Sequence, residues 1–344
     1  MRAGLSLEPS AALREIVIAL DGLAVIVNAA NPVRTLTVEQ VRRIYAGQVA
    51  NWSELGGPDL LVHALARDPD SDTTQFFSGK VMADRLIAGT AERIDSHEAM
   101  ANAVAADAGS IGFVSFPYVG RNRALNLVAS CGIEHTASDL GIRTEDYPLS
   151  RRLYLYAAPG QAPVAEDFLR VAASPAMYDA IRDANYTSLQ PTLGPREHTV
   201  SRLLDAARTA PADIEQSYAE SLLEYGKATR NALRLSSTYR FQFGSHRLDS
   251  RSLDDVERAA SFLRDPANQR YKVRILGFSD ASGAFGANRL ISLRRATEVA
   301  AQLRQRGIQA AQVTGLGSIS PVACDGDADA ATRNRRVEIW LSPG

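Results

Sequence analysis

Residues 277–296 read GFSDASGAFGANRLISLRRA, and the organisation of the C-terminal part of the chain follows from them. The apolar run Lys272–Phe278 has strand length, the strand ends at Asp280, and a glycine-bearing loop leads to a helix expected over Asn288–Arg306, with Asn288 able to cap its start. Arg295 lies seven residues beyond Asn288, about two turns up nearly the same helix face. Asp280 and Arg295 can therefore flank one shallow site, a carboxylate and a guanidinium suited to a zwitterion that carries an ammonium and a carboxylate. The same two residues would serve equally as a surface ion pair that holds the loop, and spacing alone does not choose between these readings.

Working outward, strands are expected at Thr238–Phe243, Gln312–Gly315 and Arg335–Leu341 and a helix at Leu253–Leu263, which completes a compact unit over residues 236–344. In the closing strand Arg335 and Arg336 point to opposite faces. The small acidic stretch 325–333, DGDADAATR, lacks the spacing, turn glycine and terminal glutamate of a calcium loop and reads as a solvated hairpin loop. Residues 236–344 hold 16 Lys and Arg against 11 Asp and Glu, a net of +5, so the remainder must carry −6 to give the formal total of −1. Upstream, residues 191–235 are punctuated by Pro191, Pro195 and Pro211 and contain a polar helix over Asp213–Leu235, the pattern of a linker. Residues 1–190 alternate strand-length apolar runs with amphipathic segments, the rhythm of an α/β domain, with strands expected at Glu15–Leu20, Leu23–Asn28, Leu61–Ala66, Ile111–Ser115 and Leu153–Ala158. Thr37–Gln40 is a capping box opening a helix that ends at Gly47, and Asp72–Gln75 is a second such start just after a strand and a turn. That arrangement aims backbone N–H groups at whatever lies above the strand end.

The 344 residues are 45% hydrophobic and 22% charged, which is globular composition with length for two cores. A near-neutral total charge gives no case for a dedicated nucleic-acid binder. No run of about 18 apolar residues argues a membrane span. Glu8, Arg14 and Glu15 interrupt any apolar core of a secretory signal, so the chain is expected to be cytoplasmic or to lack its export segment. Cys131 and Cys324 form either a pair or two free thiols. None of the five histidines has ligand spacing with Cys, Asp or Glu, and no Gly-x-Ser-x-Gly or Ser-His-Asp context occurs. No metal, cofactor or enzymatic activity is expected.

Gly277–Gly283, Asn288–Ala296 and Asn334–Glu338, in this order, resemble the OmpA-like peptidoglycan-binding domain, whose patterns are G-[HF]-[TS]-D-x-x-G, N-x-x-L-S-x-x-R-A and N-R-R-V-E. The resemblance covers residues 236–344 and implies an α+β fold of βαβαβ type that holds the diaminopimelate of uncrosslinked stem peptides without a covalent bond. By position it implies that Asp280 meets the ammonium and Arg295 the carboxylate, with Asn288 and Ser279 as supporting contacts. One of Arg335 and Arg336 would touch glycan or peptide. Phe278, Ser279 and Ile291 are mild departures from the pattern.

A second ordered series, Asp21–Asn28, Asn31-Pro32, Leu36-Thr37, Ile44–Gly47, Asn51–Gly57, Gly109–Phe113 and Tyr147–Arg151, resembles the periplasmic phosphate-binding protein family, the receptors of phosphate ABC importers. It implies a type II periplasmic-binding-protein-like α/β fold closing on an oxyanion. The family's anion loop R-x-x-G-S-G-T aligns Arg67, Ser71 and Thr73 as anion-binding residues, while Asp70 and Asp72 stand where the family has glycine. A carboxylate close to a bound dianion is repulsive in a poorly solvated cleft, unless Asp72 caps its helix with its charge turned to solvent. The family's first strand and helix start, which supply half of the anion's donors, fall upstream of this sequence, so the first lobe is expected to be incomplete. Together the resemblances imply an envelope binding protein of the periplasm or outer membrane that binds peptidoglycan. The alternatives are a wall-anchored phosphate or oxyanion receptor serving an ABC permease, and a wall hydrolase.

Overall fold

The computed structural model describes residues 13–83, 85–158, 160, 162–211, 215–248, 250–324 and 328–344. The chain divides into two compact units, one of Met1–Ser130 with Glu134–Leu189, the other of Cys131–Ile133 with Gln190–Gly344. The first contains, in order, β1 (Arg14–Val27), β2 (Thr35–Thr37), α1 (Val38–Tyr45), β3 (His63–Ala66), α2 (Asp72–Phe77), β4 (Glu92–Arg93), α3 (His97–Ala106), β5 (Ser110–Ser115), β6 (Arg123–Ala124), β7 (Asn126–Val128), β8 (Glu134–His135), α4 (Asp139–Arg143), β9 (Ser150–Ala157), α5 (Pro163–Ala172), α6 (Tyr178–Asp183) and β10 (Thr187–Ser188).

Strand β1 organises this unit. Two strands were expected over Glu15–Asn28, but Asp21 and Gly22 stay in the ladder because they pair with Arg151 and Ser150 of β9. The first part of β1 runs antiparallel to β9, and Leu23–Val27 runs antiparallel to β5. Strands β5, β3 and β4 continue the sheet in parallel. Residues Leu23–Val27 are buried throughout, the pattern of a strand covered on both faces. Phe77 stacks on Phe113 at 4.2 Å and meets Tyr45 edge-on at 4.8 Å, which fastens α1 and α2 to β5. The Thr37 capping box is formed in both directions, Gln40 N–H to Thr37 Oγ1 at 3.0 Å and Thr37 N–H to Gln40 Oε1 at 2.7 Å. Helix α1 ends at Tyr45, and Gly47 takes the left-handed conformation just beyond it.

The second unit contains α7 (Arg196–Arg208), α8 (Gln216–Thr229), β11 (Leu233–Arg240), α9 (Ser250–Arg264), β12 (Tyr271–Gly277), α10 (Phe285–Gln305), β13 (Ala310–Gly315), α11 (Ala328–Asn334) and β14 (Arg336–Pro343). Elements β11 to β13 give the expected βαβαβ order, and β14 closes a sheet of order β11-β14-β12-β13 in which only β12 and β13 are parallel. Alternate residues supply two apolar faces. Ile275 and Ile339 pack with Val256 of α9 and Val299 of α10. Leu276 and Trp340 face the other way and pack with Tyr218, Tyr225 and Ala228 of α8 and Ala206 of α7.

That second face corrects the reading of residues 191–235 as a linker. A sheet apolar on both sides needs a cover on both, and α7 and α8 provide it. The expected helix start at Asp213 lies outside the described residues. A second correction concerns residues 325–333, expected as a hairpin loop: residues 328–334 form α11, whose last residue, Asn334, accepts from the N–H groups of Val322 and Ala323 at 2.8 and 3.1 Å. Residues 325–327 lie outside the described residues. Cys131 and Cys324 are joined in a disulfide.

Candidate functional site

Helix α10 lies directly on β12 and β13 because both strands end in glycine. A Cβ at Gly277 would collide with the Ser292 carbonyl oxygen, and one at Gly315 with the backbone of Arg289 and Leu293. Ser292 fastens the approach, its hydroxyl donating to the Arg289 carbonyl at 2.9 Å and accepting from Gly317 N–H at 3.0 Å. This close contact sets Ser279 and Asp280, just past β12, beside the first turns of α10.

The four sequence-predicted residues are all buried: Ser279, Asp280, Asn288 and Arg295. Asp280 accepts from Ser282 N–H at 2.9 Å and from Arg335 Nη1 at 3.0 Å. Burial would raise its carboxyl, but the bonds from Ser282 and Arg335 more than offset this and hold it below the usual carboxylate range. Arg295 donates to the carbonyl oxygens of Ser245 and Gln242 at 3.0 and 3.4 Å and lies over the Phe241 ring at 5.5 Å. Burial and the neighbouring charge of Arg335 push the guanidinium down to about 10, against the opposing pull of Asp280. Asp280 and Arg295 thus feel each other electrostatically, but the hydrogen-bonded ion pair of the alternative reading is made between Asp280 and Arg335.

Three polar atoms here are buried without a hydrogen-bond partner: Ser279 Oγ, Asn288 Nδ2 and Arg295 Nη1. Such groups cost free energy unless something completes them, so an acceptor for two donors and a partner for a hydroxyl are wanting where Asp280 offers a carboxylate. Asn288 is not the helix cap it was expected to be. Helix α10 begins three residues earlier, at Phe285 after Ala284, which frees the Asn288 amide from capping. The two arginines of the last motif separate by role. Arg335 grips Asp280, while Arg336 donates to Glu338 at 2.7 Å, stacks on Phe278 at 4.1 Å and is fully buried with Trp340, whose Nε1 also donates to Glu338.

In the first unit Arg67 follows β3, and its Nε is buried without a partner. Ser71, and not Asp72, caps α2: its hydroxyl accepts from Thr74 N–H at 3.2 Å and donates to the Asp68 carbonyl at 2.8 Å. Asp72 is the first residue of the helix that Ser71 caps, and both Asp70 and Asp72 are exposed. Thr73 is buried. Sequence reasoning missed the group around Asp21. This carboxylate, 1% exposed, accepts from Gly22 N–H at 2.8 Å, from the Ser115 hydroxyl and from Arg151 Nε at 2.9 Å. Ser115 N–H in turn donates to His97 Nδ1 at 3.2 Å. Burial, then the charge of Arg67, pushes His97 down to about 4, with Arg151 acting in the same sense and Asp21 against it. Asp21 and Arg151 stand in the first and last segments of the ordered series quoted above, which is the signal that marks them.

Residues 8–176 match the model of the PBP superfamily domain and residues 240–335 that of the OmpA family. The chain joins a PBP-superfamily domain to an OmpA-family domain. The PBP-superfamily domain is 27% identical over 152 residues to the phosphate-binding protein PstS of Bacillus subtilis, covering 44% of this chain and 49% of that protein. The OmpA-family domain is 38% identical over 73 residues to the probable lipoprotein YiaD of Escherichia coli, covering 21% of this chain and 33% of that protein. A crystal structure of an ABC-type phosphate transport receptor from Vibrio cholerae aligns at 27% identity and TM-score 0.47 over 53% of this chain and 75% of that one. The chain spans about half the length of the phosphate-binding proteins it matches and a third of YiaD.

Proposed function

We propose that this chain is a cell-envelope binding protein whose OmpA-family domain holds the peptidoglycan stem peptide through its diaminopimelate residue, and that it acts by recognition, with no bond made or broken. The observation that carries this reading is the set of buried, unpartnered polar atoms on Ser279, Asn288 and Arg295 beside the Asp280 carboxylate. A zwitterionic diamino acid would complete them, its carboxylate meeting Arg295 and Asn288 and its ammonium meeting Asp280. Relatives support this reading: the chain is similar to a peptidoglycan-associated lipoprotein of Buchnera aphidicola and to the peptidoglycan-binding protein ArfA of Mycobacterium tuberculosis. A disulfide between Cys131 and Cys324 fits an oxidising compartment such as the periplasm. Among the described residues no helix is long and apolar enough to cross a membrane. Pull-down on purified sacculi tests the proposal. Asp280→Ala and Arg295→Ala are each expected to lose most of the binding, and retention by both variants would sink it.

A second reading, an oxyanion receptor working with an ABC permease, is favoured by the buried, unpartnered Nε of Arg67 and by its positive charge on His97. The exposure of Asp70 and Asp72 leaves their charges in water, where repulsion of an anion is weak. Set against it, the Ser71 hydroxyl is already engaged in capping α2. Calorimetry with phosphate and sulfate decides: a heat signal that Arg67→Ala abolishes establishes the receptor, and no signal with either anion removes it.

A further inference from the structure

Phe243 is 78% exposed, although an aromatic ring of that size is ordinarily turned inward. It lies two residues beyond Phe241, which is buried, in the segment that leaves β11. The segment is held to the wall site at several points. The carbonyls of Gln242 and Ser245 accept from Arg295, Ser245 N–H donates to the Gln242 carbonyl at 3.1 Å, and Gly244 takes a left-handed φ of +70° that closes the turn. Beneath the exposed ring lies Arg335, 5.9 Å from its centroid, with its other edges on Asp280, the Phe241 carbonyl and the Thr332 hydroxyl. Phe243 is therefore a fixed apolar surface at the rim of a site whose floor is charged.

We propose that Phe243 is a ligand-contacting residue of this site, a platform for the aliphatic chain that separates the charged ends of the diaminopimelate residue. The inference rests on the wall-binding reading above and adds to it a contact that charge pairing does not supply. Asp280 and Arg295 select the two ends of the ligand. The methylenes between them carry no charge and gain only from apolar surface, and the Phe243 ring offers it next to the Asp280–Arg335 pair.

The test is calorimetric titration of the full chain with the soluble tripeptide L-Ala-γ-D-Glu-meso-diaminopimelate, and separately with the same peptide carrying N-acetylmuramic acid. Phe243→Ala is expected to weaken both ligands about tenfold, the effect of losing one well-placed apolar contact, and Phe243→Leu to recover most of the loss. Because the ring is exposed, thermal midpoints of both variants should match that of the parent. Unchanged affinity in Phe243→Ala, while Asp280→Ala and Arg295→Ala lose binding, overturns the platform and leaves the wall reading standing. A loss confined to the sugar-bearing ligand also overturns it, since the ring then contacts the glycan. Unchanged affinity in Asp280→Ala and Arg295→Ala overturns the wall reading itself.

Discussion

Burial and the positive charges of Arg67 and Arg151 keep the His97 imidazole neutral until the pH falls to about 4, although the free side chain takes its proton near 6.5. Between these values the unfolded chain binds a proton that the folded chain refuses. Stability from His97 is therefore fully present above pH 6.5 and falls as the pH drops towards 4. Because the ring is only partly buried, the loss should be on the order of 1 kcal/mol. Urea unfolding at a series of pH values, compared with His97→Asn, checks it: the variant should lack this part of the slope. Nothing in the sequence near His97 announces such a shift, since Arg67 and Arg151 reach it from other segments. The same holds around Asp280. Spacing within one helix places Asn288 and Arg295 on one face, whereas the Asp280–Arg335 bond joins residues that only the sheet brings together. Which side chains line the candidate site is legible in the sequence; the partner each one has is not.

At the scale of elements, the glycines at the ends of β12 and β13 make a sharp prediction. Gly277→Ala should destabilise the second unit by about 3 kcal/mol, because the new methyl group meets the Ser292 carbonyl and α10 must move away from the sheet. Gly286→Ala, in the first turn of the same helix with open space around it, should be neutral or stabilising by up to about 1 kcal/mol. Chemical denaturation followed by circular dichroism separates the two. Elements governed by local chemistry are readable in advance: the Thr37 capping box involves four consecutive residues and forms as expected. Those governed by distant packing are not. Helices α7 and α8 expose Val200, Leu204 and Leu223 and place Tyr218 and Tyr225 inward, a pattern that reveals a cover only once Leu276 and Trp340 are known to share a second sheet face. Likewise α11 is too short for its own residues to fix it, and the Asn334 amide that ties its end to Val322 and Ala323 is a tertiary contact.

For the whole molecule, the Cys131–Cys324 disulfide closes a loop with a sequence separation of 193 residues. The chain-entropy relation assigns such a crosslink about 5 kcal/mol, most of it through the unfolded state. Reduction should accordingly lower the urea midpoint, and Cys131→Ser should reproduce the shift without reductant; equal midpoints in all three samples would show that the bond does not stabilise the fold. The bond also changes what proteolysis can do. Any cut between the two cysteines leaves both fragments on one molecule, so a nick between the PBP-superfamily domain and the OmpA-family domain would not part them, as it would in an unlinked chain. Separating them would need two events, a cleavage and a reduction.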